Sequence, residues 1–77
     1  MLTAYILIET VVGTSSKVSD SLRGIQEVLE VDRVTGPYDV IARVETGDIV
    51  GLSVLLHDKV QRMPGVTKTL TCVVAIR

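Results

Sequence analysis

Residues 2–12, LTAYILIETVV, constrain this chain more than any other segment. Successive side chains of a strand point to opposite faces. Here even positions carry Leu2, Ala4, Ile6, Ile8 and Val12, and odd positions carry Tyr5, Leu7 and Val11. A strand that is apolar front and back belongs in the middle of a sheet and needs cover on both sides. The chain has 77 residues, so residues 1–77 form a single domain near the lower limit of what folds alone. Its one cysteine, Cys72, excludes an intrachain disulfide, and burial must hold the fold.

The remaining pattern is regular. Gly13 to Ser16 is a loop with several N-cap candidates, and Lys17 to about Gln26 places Val18, Leu22 and Ile25 on one helical stripe. Asp20 is expected in the first turn of that helix, and Gly24 weakens its last. Residues 28–35 read as a less apolar edge strand. Gly36-Pro37-Tyr38-Asp39 is a turn signal, with Pro37 suited to the second turn position. Residues 40–45 alternate, with Val40, Ala42 and Val44 on one face. Asp48 is the N-cap candidate for a second helix whose stripe runs Ile49, Leu52, Leu56, Val60 and Met63, stopped by Pro64-Gly65. Residues 66–76 form the last strand, with Leu70, Cys72, Val74 and Ile76 on one face and Thr67, Thr69 and Thr71 on the other. The order βαββαβ predicts an α+β, ferredoxin-like two-layer sandwich: a four-stranded antiparallel sheet with both helices on one face.

That architecture implies a partner. Two helices cover one sheet face, yet the first strand is apolar on both, and Val73 and Ala75 are expected to add to the uncovered side. Burying about 600 Å² of apolar area per subunit is worth on the order of 15 kcal/mol before association costs. The expectation is a homodimer packed sheet face to sheet face. The bland alternative is a surface dotted with single apolar residues.

Composition narrows the function. Apolar residues make up 47% and charged residues 22% of the chain, which excludes disorder. The net charge is −1 and the basic residues are scattered, which argues against direct nucleic-acid binding. Tyr5 and Tyr38 are the only aromatic residues, too few for a base-stacking platform. The first apolar run, Ala4 to Ile8, is too short for a membrane span, and no signal-peptide pattern precedes it, so the cytoplasm is the default location. His57 stands alone, without a second histidine or a cysteine pair for a metal site. No phosphate-loop spacing or nucleophile motif occurs, so neither a cofactor nor an enzymatic activity is expected. Cys72, within an apolar run, reads as a small buried hydrophobe.

One loop carries a functional signal. Gly36-Pro37-Tyr38-Asp39 reads structurally as a tight turn with Asp39 bonded to its own backbone. It also reads as a binding loop. The N–H groups of Gly36, Tyr38 and Asp39 could hold a carboxylate, Asp39 could accept from an ammonium, and Tyr38 could wall the site. A free α-amino acid asks for that set. Thr69 and Thr71 could line the same seam from another strand or subunit.

The stretch Val34-Thr35-Gly36-Pro37-Tyr38-Asp39-Val40, then Asp48, Met63-Pro64-Gly65-Val66 and Lys68-Thr69-x-Thr71, resembles the regulatory (RAM) domain of Lrp/AsnC transcription regulators over essentially the whole chain. The resemblance implies sheet-to-sheet dimers, further assembly into larger oligomers, and an amino acid or related effector bound where dimers meet. It implies effector contacts from Thr35, Gly36, Pro37, Tyr38 and Asp39, with Thr69 and Thr71 from the last strand. Full-length members carry an N-terminal helix-turn-helix domain, for which a first strand beginning at residue 2 leaves no room. The expectation is therefore a stand-alone effector module. Two alternatives stay open: an adaptor that co-assembles with a full-length Lrp/AsnC relative without binding ligand, and a small ferredoxin-like enzyme using a buried His or Tyr.

Overall fold

The computed structural model describes residues 1–77, and the elements follow the expected order. Strand β1 spans Leu2–Thr10, helix α1 Ser15–Arg23, β2 Val28–Arg33, β3 Val40–Thr46, helix α2 Ile49–Val54 and β4 Val66–Val73. The sheet is antiparallel throughout, in the order β2-β3-β1-β4, so the doubly apolar β1 is central and β2 lies at an edge. Ala4, Ile6 and Ile8 of β1 and Val40, Ala42 and Val44 of β3 are fully buried beneath Val18 and Leu22 of α1 and Leu52 of α2. β1 ends before Val11 and Val12, which are exposed, and β4 ends before Ile76.

The first helix starts two residues before the expected position. Asp20 therefore falls in the second turn, where it pairs with Arg23 at 3.3 Å instead of meeting the helix dipole. Gly24 is the C-cap rather than part of the last turn, and Ile25 packs on the core from beyond it. Asp48 caps the second helix as expected, its Oδ1 accepting from the Gly51 N–H at 2.8 Å.

The second helix departs from the sequence reading. After Val54 it continues as a π-helix, Leu55–Val60, closed by the Gln61 N–H donating to the Leu56 carbonyl at 2.8 Å. This i→i+5 bond widens the turn. The buried stripe is thus Leu52, Leu55 and Val60, stepping by three and five, while Leu56 is only half-buried and Ile49 is exposed. A period of 3.6 assigns Leu56 to the stripe; the wider π turn hands that place to Leu55.

The faces of β4 also need correction. Thr71 lies opposite Ile6 and Thr69 opposite Ile8, so the threonines are on the helix side. Leu70 lies opposite Leu7, and Cys72 opposite Tyr5, on the open side. Cys72 is exposed, not the buried hydrophobe expected. Val73 lies opposite Ala4 and so belongs to the helix side rather than the open one. The reason is position: β4 is an edge strand packed chiefly on β1, beyond the area the helices cover, so its helix side tolerates hydroxyls.

One glycine sits where a side chain would be strained. Gly65, at the bend into β4, has φ +95, and a Cβ there would lie 2.9 Å from the Thr14 Oγ1 and 3.1 Å from the Val18 Cγ2. Its carbonyl accepts from the Val11 N–H at 2.8 Å, joining the bend to the end of β1. A side chain is excluded both by the left-handed backbone and by this close approach.

Candidate functional site

The loop between β2 and β3 is not the tight turn that Gly-Pro suggested. The Val34 N–H donates to the Asp39 carbonyl at 2.9 Å, which leaves Thr35 to Tyr38 as a four-residue hairpin loop. Thr35, Gly36 and Pro37 are exposed, and Tyr38 and Asp39 are half-buried.

Asp39 fixes the loop to the rest of the sheet. Its Oδ2 accepts from the Thr10 N–H at 2.8 Å and from the Thr10 hydroxyl at 3.2 Å. Its own N–H donates to the Ile8 carbonyl at 2.9 Å. So Asp39 does not bond its own backbone, and its N–H is not free to hold a carboxylate. Oδ1 has no hydrogen-bond partner in the chain, and the Gly36 and Tyr38 N–H groups donate to none of its atoms. What the loop offers a ligand includes the Gly36 and Tyr38 amide donors and one carboxylate oxygen.

Gly36 bears on this inventory. Its φ lies outside the left-handed region, and a Cβ built on it would meet nothing within 4 Å. The conformation of this chain does not require glycine at 36. The space in front of it is open.

Thr69 and Thr71 stand apart from the loop. Thr69 pairs with Ile8, whose carbonyl accepts from Asp39, so β1 alone separates it from the loop. Thr71 is two residues further along, opposite Ile6. Neither threonine bonds to the loop; the Thr69 Oγ1 accepts from the Gln61 amide at 3.4 Å. A shallow groove of about 310 Å³ runs beside it, lined by Gln61, Val66, Thr67, Lys68 and Thr69. Sequence reasoning missed Gln61 and Thr10, neither of which belongs to any motif; the end of the π-helix places Gln61 and strand register places Thr10.

The sheet face away from the helices carries a second feature. Leu70, Leu7 and Ile41 form one row across β4, β1 and β3, with Asp32 of β2 at its end. Cys72, Tyr5 and Arg43 form the next, ending on Glu30, which pairs with Arg43 at 3.6 Å. Leu70 is 47% and Tyr5 37% exposed, and no segment of the chain covers them. His57 is exposed on the π segment, so the buried histidine of the enzyme alternative does not exist. No group of three His, Cys, Asp or Glu side chains could hold a metal ion. No helix is long and apolar enough to cross a membrane.

Residues 3–76 match the model of the Lrp/AsnC ligand binding domain. The chain belongs to the Lrp/AsnC family. A curated Lrp/AsnC relative, the HTH-type transcriptional regulator FL11 of Pyrococcus abyssi, is 34% identical over 71 residues, covering 92% of this chain and 46% of its own. The chain thus spans about half the length of the curated relatives it matches. Among solved structures, FFRP-DM1 is 35% identical with a TM-score of 0.94, covering 97% of this chain and 100% of its own. The regulator NMB0573 of Neisseria meningitidis, solved as its L-Met complex, superposes with a TM-score of 0.87 over 97% of this chain and 50% of its own. At 22% identity that likeness speaks for the Lrp/AsnC fold alone.

Proposed function

We propose that this Lrp/AsnC domain binds a free amino acid, or a small metabolite built like one, in a site completed only when subunits assemble, and that binding alters the assembly. The effector carboxylate takes the N–H groups of Gly36 and Tyr38, and its ammonium takes the Asp39 Oδ1. Thr35 and Pro37 frame the loop, and Thr69 and Thr71 of a neighbouring subunit close it. The single observation behind this reading is the loop's unused chemistry: the unpaired Gly36 and Tyr38 amides and a free carboxylate oxygen around a glycine that the chain's conformation does not need. The lone subunit has no pocket at this loop, which fits a site shared between copies. That NMB0573 was solved with an amino acid lends the ligand class support. The open row Leu70, Leu7 and Ile41 is the surface on which two sheets would pack face to face.

The test is a panel of the twenty amino acids at millimolar concentration, read by melting temperature and native mass spectrometry. A ligand at 100 times its dissociation constant adds about 2.7 kcal/mol of stability. One or more amino acids should raise the melting temperature or change the oligomer. Gly36→Val should keep the melting temperature of the free protein and lose the ligand response. A flat panel on well-folded protein would remove the reading.

The adaptor reading draws on a different fact, the match to one half of a longer regulator. It predicts mixed oligomers with a DNA-binding Lrp/AsnC relative and no response to the panel.

A further inference from the structure

Strand β1 outruns its neighbour. It extends to Thr10, whereas its pairing with β3 stops at Ile8 opposite Val40. Past that point the Asp39 side chain stands where β3 would continue. Its Oδ2 takes the Thr10 N–H at 2.8 Å and the Thr10 hydroxyl at 3.2 Å. The Asp39 N–H, in turn, is held by the Ile8 carbonyl at 2.9 Å. Each oxygen of an ionised carboxylate has two acceptor sites. Thr10 fills both sites of Oδ2, and the chain fills neither site of Oδ1. No lysine or arginine pairs with Asp39; the ion pairs of the chain are Arg23–Asp20, Arg43–Glu30 and Lys59–Glu27.

We propose that Thr10 is a positioning residue that sets what Asp39 recognises: a cation that needs one carboxylate oxygen, an ammonium, in preference to a guanidinium, whose fork needs two. This role rests on the effector reading of the loop and sharpens it, through a residue that itself touches no ligand. A guanidinium gains its advantage over an ammonium from two parallel N–H···O bonds, one to each carboxylate oxygen. With both sites of Oδ2 occupied by Thr10, that fork cannot close. An ammonium carries three donors and can still give one of them to Oδ1. Thr10 also restrains the carboxylate. The terminal torsion of an aspartate is broad when nothing holds it. Here, turning Oδ1 away from the loop breaks both bonds from Thr10 to Oδ2. A recognition group held in this way by its neighbours is preorganised for its ligand. The two donors of Thr10 are separable by substitution. The N–H belongs to the backbone and survives in any residue but proline, whereas the hydroxyl belongs to threonine and is absent from valine, which has the same shape.

Calorimetry with the twenty amino acids, each also supplied as its Nα-amidino derivative, reads the preference directly. On the unaltered chain, an amino acid that binds should lose roughly tenfold or more in affinity when its ammonium becomes a guanidinium. Thr10→Val should remain folded and weaken that amino acid by roughly tenfold, the size of effect that outer partners have on a liganding carboxylate. It should also narrow the gap to the amidino derivative, because one site of Oδ2 is then open. Thr10→Ser should restore both the affinity and the gap. A residue that only fastens the end of β1 would change the urea midpoint and leave the gap where it was. Thr10→Val with the affinity and preference of the unaltered chain would overturn the role of Thr10 and leave the effector reading standing. So would an unaltered chain that takes the amidino derivatives equally well, a comparison that needs no variant and decides the matter if Thr10→Val fails to fold. Folded, unaltered chain that binds none of the amino acids or derivatives would instead remove the effector reading, and the role of Thr10 with it.

Discussion

Replacing Asp39 separates its structural duty from its ligand duty. Its Oδ2 accepts two hydrogen bonds from Thr10, and its Oδ1 is unpaired. Asp39→Ala strands the Thr10 N–H at a half-buried position, which costs about 1–3 kcal/mol. For a chain this short, each kcal/mol lowers the melting temperature by about 4–8 °C. Asp39→Asn keeps a carbonyl oxygen for Thr10 and removes only the charge, so its stability should fall by less than about 1 kcal/mol. A charge-assisted hydrogen bond to an ammonium is worth about 1.5–3 kcal/mol, so Asp39→Asn should weaken effector binding by roughly 10- to 150-fold. Urea melts at fixed protein concentration give the stabilities, and calorimetry with the effector found in the panel gives the affinities. Equal destabilisation by Asn and Ala, with affinity untouched in both, would mean that Asp39 is a fastener for β1 and nothing more.

Three further outcomes are expected. Leu55→Ala should cost about 3 kcal/mol, because the side chain is 1% exposed, and Leu56→Ala about half of that; equilibrium melts showing the reverse order would refute the π-helical register. Gly65→Ala should destabilise by more than about 1 kcal/mol through both its backbone conformation and its contact with Thr14, visible as a lower melting temperature. Asp48→Ala should cost about 1 kcal/mol, measured the same way, because the Gly51 N–H loses its only side-chain acceptor.

What could be read from the sequence was whatever depends on alternation and punctuation. Val40, Ala42 and Val44 announce a buried strand face, and Asp48 and Pro64-Gly65 bracket a helix, because each acts within a few residues of itself. What could not be read depends on where an element sits in the finished molecule. Thr69 and Thr71 face the helix layer only because β4 is an edge strand, and no local signal in Thr-Lys-Thr-Leu-Thr says so. Cys72 looked buried among apolar neighbours for the same reason. Leu55 replaced Leu56 in the core through a π turn that a 3.6-residue period cannot represent. At the loop, Gly36 and Asp39 stood out as residue types, but the tie from Asp39 to Thr10 spans 29 positions and comes from strand register alone.

The account rests on the open sheet face being an assembly surface. Sedimentation equilibrium of the unaltered chain and of Leu7→Lys, across nanomolar to micromolar protein, tests it most directly. The unaltered chain should sediment as a dimer or larger at micromolar concentration. Leu7→Lys, with a charge in the middle of the apolar row, should remain folded and shift to smaller species by at least tenfold in dissociation constant. An unaltered chain that stays a folded 8.3 kDa particle throughout, or a Leu7→Lys variant that assembles just as tightly, would contradict it.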